Sequence, residues 1–169
     1  MRTITLACAA AFAGGLAVAA AGARADDLPQ RKAGLWEITM HMATGNMPMQ
    51  TLKFCTDAAT DAEMYKFGMN TMQGMCSRYD IHRNGAVATI DTECKMGDMK
   101  MTSRSVMTFT GDAAYKTDIQ SHFDPPMMGH ADSSMTQEAK WTGPCPADMQ
   151  PGDMVGPNGM KMNMKSMAK

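Results

Sequence analysis

The stretch "CSRYDIHRNGAVATIDTEC" (76–94) constrains this chain more than any other. Two runs of alternating apolar and polar residues flank Asn84-Gly85. Period-two alternation is the signature of a strand with one buried face. Asn-Gly favours the type I′ turn whose twist matches that of paired strands, so the stretch reads as a β-hairpin. The same alternation recurs along the chain. In 34–44, Trp36, Ile38, Met40 and Met42 share one face while Glu37, Thr39 and His41 share the other. Leu52 and Phe54 alternate in 50–56. Met99, Met101, Met107 and Phe109 oppose Lys100, Arg104 and Thr108 in 99–110. Tyr115, Thr117, Ile119 and Ser121 share a face in 113–123, and a weaker pattern runs through 131–143. Turn-forming stretches separate these runs at 45–49, 95–98, 111–112 and 124–130.

One segment breaks the rhythm. "TDAATDAEMYKF" (56–67) has Thr56 or Asp57 as N-cap, helix-favouring Ala and Glu, and Gly68 as a stop, which predicts a helix of about three turns. A Gly-containing link (69–75) follows. The expected fold is all-β: an antiparallel up-and-down meander of about seven strands, curved into a half or closed barrel, with one short inserted helix. After Pro144 the chain is Pro- and Gly-rich without a core pattern, so 146–169 reads as a flexible, Met-rich tail to a β-rich domain over 26–145.

Residues 1–25 read as a secretory signal peptide. Arg2 is the charged start, an Ala-rich apolar run follows, and Ala23-Arg24-Ala25 is an A-x-A cleavage site. The chain is therefore expected to be exported to the periplasm. No second apolar stretch approaches the ~18 residues of a membrane span. Without the leader, 14 basic side chains stand against 17 acidic ones, a net charge of −3. That composition offers no basic footprint for nucleic acid. Cys8 departs with the leader, leaving Cys55, Cys76, Cys94 and Cys145. Four cysteines in an exported chain read as two disulfides, with three connectivities open. None forms a C-x-x-C pair, which disfavours a thiolate metal site.

The short motifs "GLWE" (34–37), "KFCT" (53–56), "MTSRSVMTFTGDAAYKTD" (101–118) and "WTGPC" (141–145), with the Cys and Asn-Gly spacing of 76–94, form a recognisable set. Over 31–146 the chain resembles the proteobacterial exported proteins of domain of unknown function family 3617. The resemblance implies an exported β-rich domain and brings no catalytic residues with it. Gly34 and Trp36 also resemble the Gly-x-Trp start of lipocalin-type barrels, which suggests a cavity for a small hydrophobic ligand.

Composition sharpens the chemistry. Beyond the leader there are 21 Met against three Leu, four Ile and three Val. Met fills irregular core gaps, and Met40, Met42, Met99, Met101 and Met107 fit that role on strands. Thioethers are also soft ligands that select Cu(I) or Ag(I). The clusters outside the strands are the candidates for a soft-metal site: Met69, Met72 and Met75; Met127, Met128 and His130; and Met160, Met162, Met164 and Met167. Exposed Met could instead act as a reversible oxidant sink. No catalytic motif is visible, so the chain reads as a non-enzymatic binding protein with no cofactor beyond a candidate Cu(I). The ligand-cavity reading, for a small hydrophobic molecule or an envelope component, is the alternative.

Overall fold

The computed structural model describes residues 28–43 and 48–166. Residues 1–25, read from sequence as a leader, and Met47 and Met167 lie outside them. Seven long strands form the body: β1 (Gly34–Met42), β2 (Gln50–Thr56), β3 (Cys76–Asn84), β4 (Val87–Met96), β5 (Met99–Thr110), β6 (Ala114–Met127) and β7 (His130–Gly143). A single helix, α1 (Ala58–Met75), separates β2 from β3. Two short strands, β8 (Asp153–Val155) and β9 (Lys161–Asn163), and a 3-10 turn (Met164–Ser166) follow among the described residues.

All nine strands form one antiparallel sheet in the order β3-β4-β5-β6-β7-β1-β2-β8-β9. The sheet is open: β3 and β9 are its edges among the described residues. The closed-barrel alternative is therefore not realised. Hairpins account for the run β3 to β7. The chain closes the meander differently at the other side, where β7 pairs with β1 from Leu35 to Met42.

Sheet order explains the helix. From β2 to β3 is six strand steps, about 29 Å at ~4.8 Å per step. The 18 residues of α1 span about 27 Å at ~1.5 Å each. A three-turn helix ending at Gly68 would fall short, and the structure corrects that expectation. α1 runs through Gly68 and Gly74, and 69–75 is its C-terminal half rather than a link. Asp57 caps the N-terminus by accepting a hydrogen bond from Thr60 N at 2.7 Å. Asp61, Met64, Gly68, Met69 and Met72 are the half-buried positions, and their spacing of three and four defines the face turned to the sheet.

The two sheet faces differ. Register places Trp141, Trp36, Phe54, Met154 and Met162 in one row across β7, β1, β2, β8 and β9. The next inward row is Phe109, Tyr115, Ala139, Ile38 and Leu52. These rows form the core, whose buried centre is Trp36, Ile38, Phe54 and Ala139, with Met64 of α1 packed on it. Further along the same face, the row Ile90, Ser105, Ile119, Met135 and Met42 is only half-buried. The opposite face is solvated and carries cross-strand charge pairs such as Glu37 with Lys53 and Lys116 with Glu138.

Two disulfides resolve the connectivity: Cys55–Cys145 and Cys76–Cys94. The first ties β2 to Cys145, two residues past the end of β7. The second bridges β3 and β4 directly. Disulfides point to an oxidising, non-cytoplasmic compartment. No helix of the described residues is long and apolar enough to cross a membrane.

The segment 146–166 is not the structureless tail expected from its composition. Gly152 N donates to Cys55 O at 2.8 Å, and β8 pairs with β2. Met149 is buried, while Met154 and Met164 pack against the Trp36 cluster. Asp153 organises the turn. It accepts from Gln150 N at 2.8 Å and Asn163 Nδ2 at 2.8 Å, and pairs with Lys161 Nζ at 2.9 Å. Pro and Gly break periodicity here without preventing pairing, because β2 offers an open edge and Cys145 holds the segment beside it.

Candidate functional site

Where α1 crosses the apolar face it leaves a cavity of about 460 Å³. Its floor is Met107, Phe109 and Tyr115 of the sheet, and its roof is Ala62, Met64 and Tyr65 of α1. Leu28 and Pro29 of the N-terminal segment close one side. The alternation that places Trp36 in the core necessarily places Tyr115 and Phe109 on the same face, since Tyr115 pairs with Ala139 and Phe109. The three rings form a ladder, with centroids 5.9 Å apart for Trp36–Tyr115 and 6.1 Å for Phe109–Tyr115.

One ion pair interrupts this apolar lining. Arg31 Nε donates to Asp61 Oδ1 at 2.6 Å, and Arg31 N donates to Asp61 Oδ2 at 3.1 Å. The guanidinium also lies 5.3 Å from the Phe54 ring centroid. Arg31 thus latches the N-terminal segment onto the first turn of α1. Burial pushes the Tyr115 phenol up, against the smaller opposing effect of Arg31 beside its hydroxyl. Tyr115 therefore stays neutral at any physiological pH and keeps its proton to donate.

Two tryptophans hold the rim. Trp36 Nε1 donates to Lys32 O at 2.8 Å and Trp141 Nε1 to Ala33 O at 2.9 Å. Lys32 Nζ sits 3.8 Å from the Trp141 ring centroid. These bonds fix the segment that carries Leu28 to Arg31 over the cavity. Sequence reasoning singled out Trp36 but missed Arg31 and Asp61. The two are 30 residues apart, and neither stands in a motif that announces the other.

The methionine candidates fall into different environments. Met69 and Met72 lie half-buried on the inner side of α1, and Met75 is exposed at its end. Met72 Sδ lies 3.8 Å from Cys76 Sγ. Cys76 is disulfide-bonded, so this is a sulfur–sulfur contact without a thiol hydrogen. Met160 and Met162 are exposed, whereas Met164 packs on the core, so the C-terminal cluster does not act as one free string. Met127 and His130 are register partners at the tip of the β6–β7 hairpin, with the exposed Met128 in the turn between them. Among the described residues, no group of three His, Cys, Asp or Glu is placed to hold a metal ion.

On the solvated face a second, polar groove of about 620 Å³ runs across β3 to β7. It holds the ion pairs Arg78–Glu93 and Arg104–Asp91, and a hydrogen bond between His122 Nδ1 and Asp132 at 2.8 Å. Such exposed pairs are worth little individually.

No curated protein and no solved structure matches the chain. Residues 31–145 match a family described as protein of unknown function (DUF3617). That span runs from the latch residue Arg31 to the bridging Cys145, so it holds the sheet from β1 to β7 and all of α1 but not β8 and β9. The chain belongs to the DUF3617 family.

Proposed function

We propose that this chain is a periplasmic, non-enzymatic binding protein that takes a small or chain-like apolar molecule between α1 and the sheet. The observation that carries this reading is the cavity of about 460 Å³ floored by Met107, Phe109 and Tyr115. Its volume falls in the range of roughly 300–1,000 Å³ typical of small-molecule sites. Three further features support it. Half-buried Met42, Met107 and Met135 on the same face can re-pack around ligands of different shape. Arg31 and Asp61 give the wall one polar point at which an amphiphile's head could be held. The expected leader and the two disulfides fit the compartment.

The test is titration of the purified, disulfide-intact protein with a long-chain fatty acid and with the apolar probe N-phenyl-1-naphthylamine. Both should bind at one per chain and raise the Tm. Ala62→Trp, at an exposed helix position that roofs the cavity, should weaken both at least tenfold without unfolding the protein. If neither compound binds, or if Ala62→Trp binds as tightly as the parent, the reading is wrong.

A further inference from the structure

We infer that the tip of the β6–β7 hairpin binds a soft monovalent cation, Cu(I) or Ag(I). The thioethers of Met127 and Met128 and the imidazole of His130 are its ligands. This site is independent of the apolar cavity and lies on the opposite side of the ladder's bulge from it. Met127 and His130 are register partners flanking a two-residue turn. Directly opposed residues hold their Cβ atoms about 4.5–5.5 Å apart and point their side chains to one side, close enough for both to reach one ion. The turn residues Met128 and Gly129 have φ of 51° and 84°. That is the type I′ pattern, which favours Asn or Gly at both positions. Met128 is the single non-glycine residue with positive φ among those described. It is also 94 % exposed. Neither turn preference nor packing accounts for a long thioether there.

The tip is set apart by a large bulge. Between the pairs His122–Asp132 and Met127–His130, the four residues 123–126 of β6 face Ala131 alone. Bulges of this kind re-aim the side chains beyond them. From Pro125 to Ala131 there is no carboxylate, so the donor set is two neutral sulfurs and one imidazole nitrogen. Asp132, the nearest carboxylate in sequence on β7, is held by His122. Such a set suits a soft ion of low charge and offers little to Mg(II), Ca(II) or Zn(II).

Ag(I) is the probe of choice, because it needs no reductant and leaves both disulfides intact. Titration into the full chain, followed by NMR of Met methyl and His ring resonances, should show one ion per chain. Met127, Met128 and His130 should shift together. Met128→Leu and His130→Gln should each weaken binding at least tenfold, while Met160→Leu should leave it unchanged. The exposure of Met128 makes a folding defect in Met128→Leu an unworkable excuse. Binding that survives both substitutions, that maps to other methionines, that is no tighter than to free methionine, or that is exceeded by Zn(II), would overturn the site.

Discussion

Gly34 occupies one of the tightest positions in the molecule. Its φ is +134°, and a Cβ there would run into the Gly143 carbonyl and the Trp141 indole nitrogen. The clash is with backbone, which cannot swing aside, and the φ itself is one that L side chains rarely adopt. Gly34→Ala should therefore destabilise the fold by about 2 kcal/mol or more, by analogy with other strained or overpacked sites. Urea unfolding, read by tryptophan fluorescence, measures this directly. Asp153 is the second decisive residue. The hydrogen bond from Gln150 N, with those of Lys161 and Asn163, holds its carboxyl down to about 2. A lowered carboxylate contributes stability above its unfolded value of ~3.9, and that stability is lost as pH falls through the folded value. Acidification from pH 4 to pH 2 should therefore release β8 and β9, seen as loss of Met154 and Met162 methyl dispersion. Asp153→Asn should abolish that acid step. A titration in which parent and variant coincide would show that Asp153 does not organise the segment.

At the scale of elements, α1 is the informative one. Its length answers to the separation of β2 and β3 and not to its own propensity. Gly68 and Gly74 each weaken a helix by up to ~1 kcal/mol relative to Ala. Neither has an atom within 4 Å of an added Cβ, and neither has a positive φ. Gly68→Ala and Gly74→Ala should each stabilise by about 0.4–1 kcal/mol, raising the thermal midpoint. Asp57→Ala removes the cap and should cost about 1 kcal/mol. If calorimetry gave the opposite signs, α1 would have to lie differently on the sheet. Within the strands the reading from sequence was closest: the seven alternating runs became β1 to β7. The hairpin turn falls one residue later than expected: Asn84 ends β3 and pairs with Val87, and Gly85-Ala86 make the turn, with positive φ at Gly85 alone, the II′ rather than the I′ pattern. The 124–130 loop was the exception. β6 continues through Pro125 and Pro126 to Met127, which reduces the loop to Met128-Gly129. Two prolines lack the donors of a regular ladder, and the bulge at that place absorbs them.

At the scale of the whole molecule, the Cys55–Cys145 bridge and the C-terminal strands close what the meander leaves open. The bridge spans 90 residues, against 18 for Cys76–Cys94. Loop entropy makes the longer bridge the more stabilising, within a usual range of about 2–5 kcal/mol. The double substitution Cys55→Ala with Cys145→Ala should therefore lower stability more than Cys76→Ala with Cys94→Ala. Removal of 146–169 should expose the Trp36 cluster where Met154 and Met164 cover it, and lower the thermal midpoint. Differential scanning calorimetry of the four proteins orders these effects. An unchanged midpoint on truncation would restore the simpler picture of a dispensable tail.

What the sequence determined by itself was local and periodic. Alternation fixed which residues face the core, Asn84-Gly85 fixed the place of a hairpin turn to within one residue, Thr56-Asp57 fixed the start of α1, and the four cysteines past residue 25 fixed the number of bridges. Each of these rests on neighbours within a few residues, where side-chain direction follows backbone type. Only the tertiary structure decided the rest: the open sheet, the full length of α1, the disulfide partners, the ordering of 146–166, and the meeting of Arg31 with Asp61 and with the Phe54 ring. Those outcomes depend on pairs far apart in the chain, whose approach is set by strand order and packing. Methionine shows the division most clearly. Its thioether is the same at Met164, which packs on Trp36, and at Met128, which stands in solvent. Nothing in either local sequence distinguishes filler from candidate ligand, because an unbranched, adaptable side chain takes its role from what surrounds it.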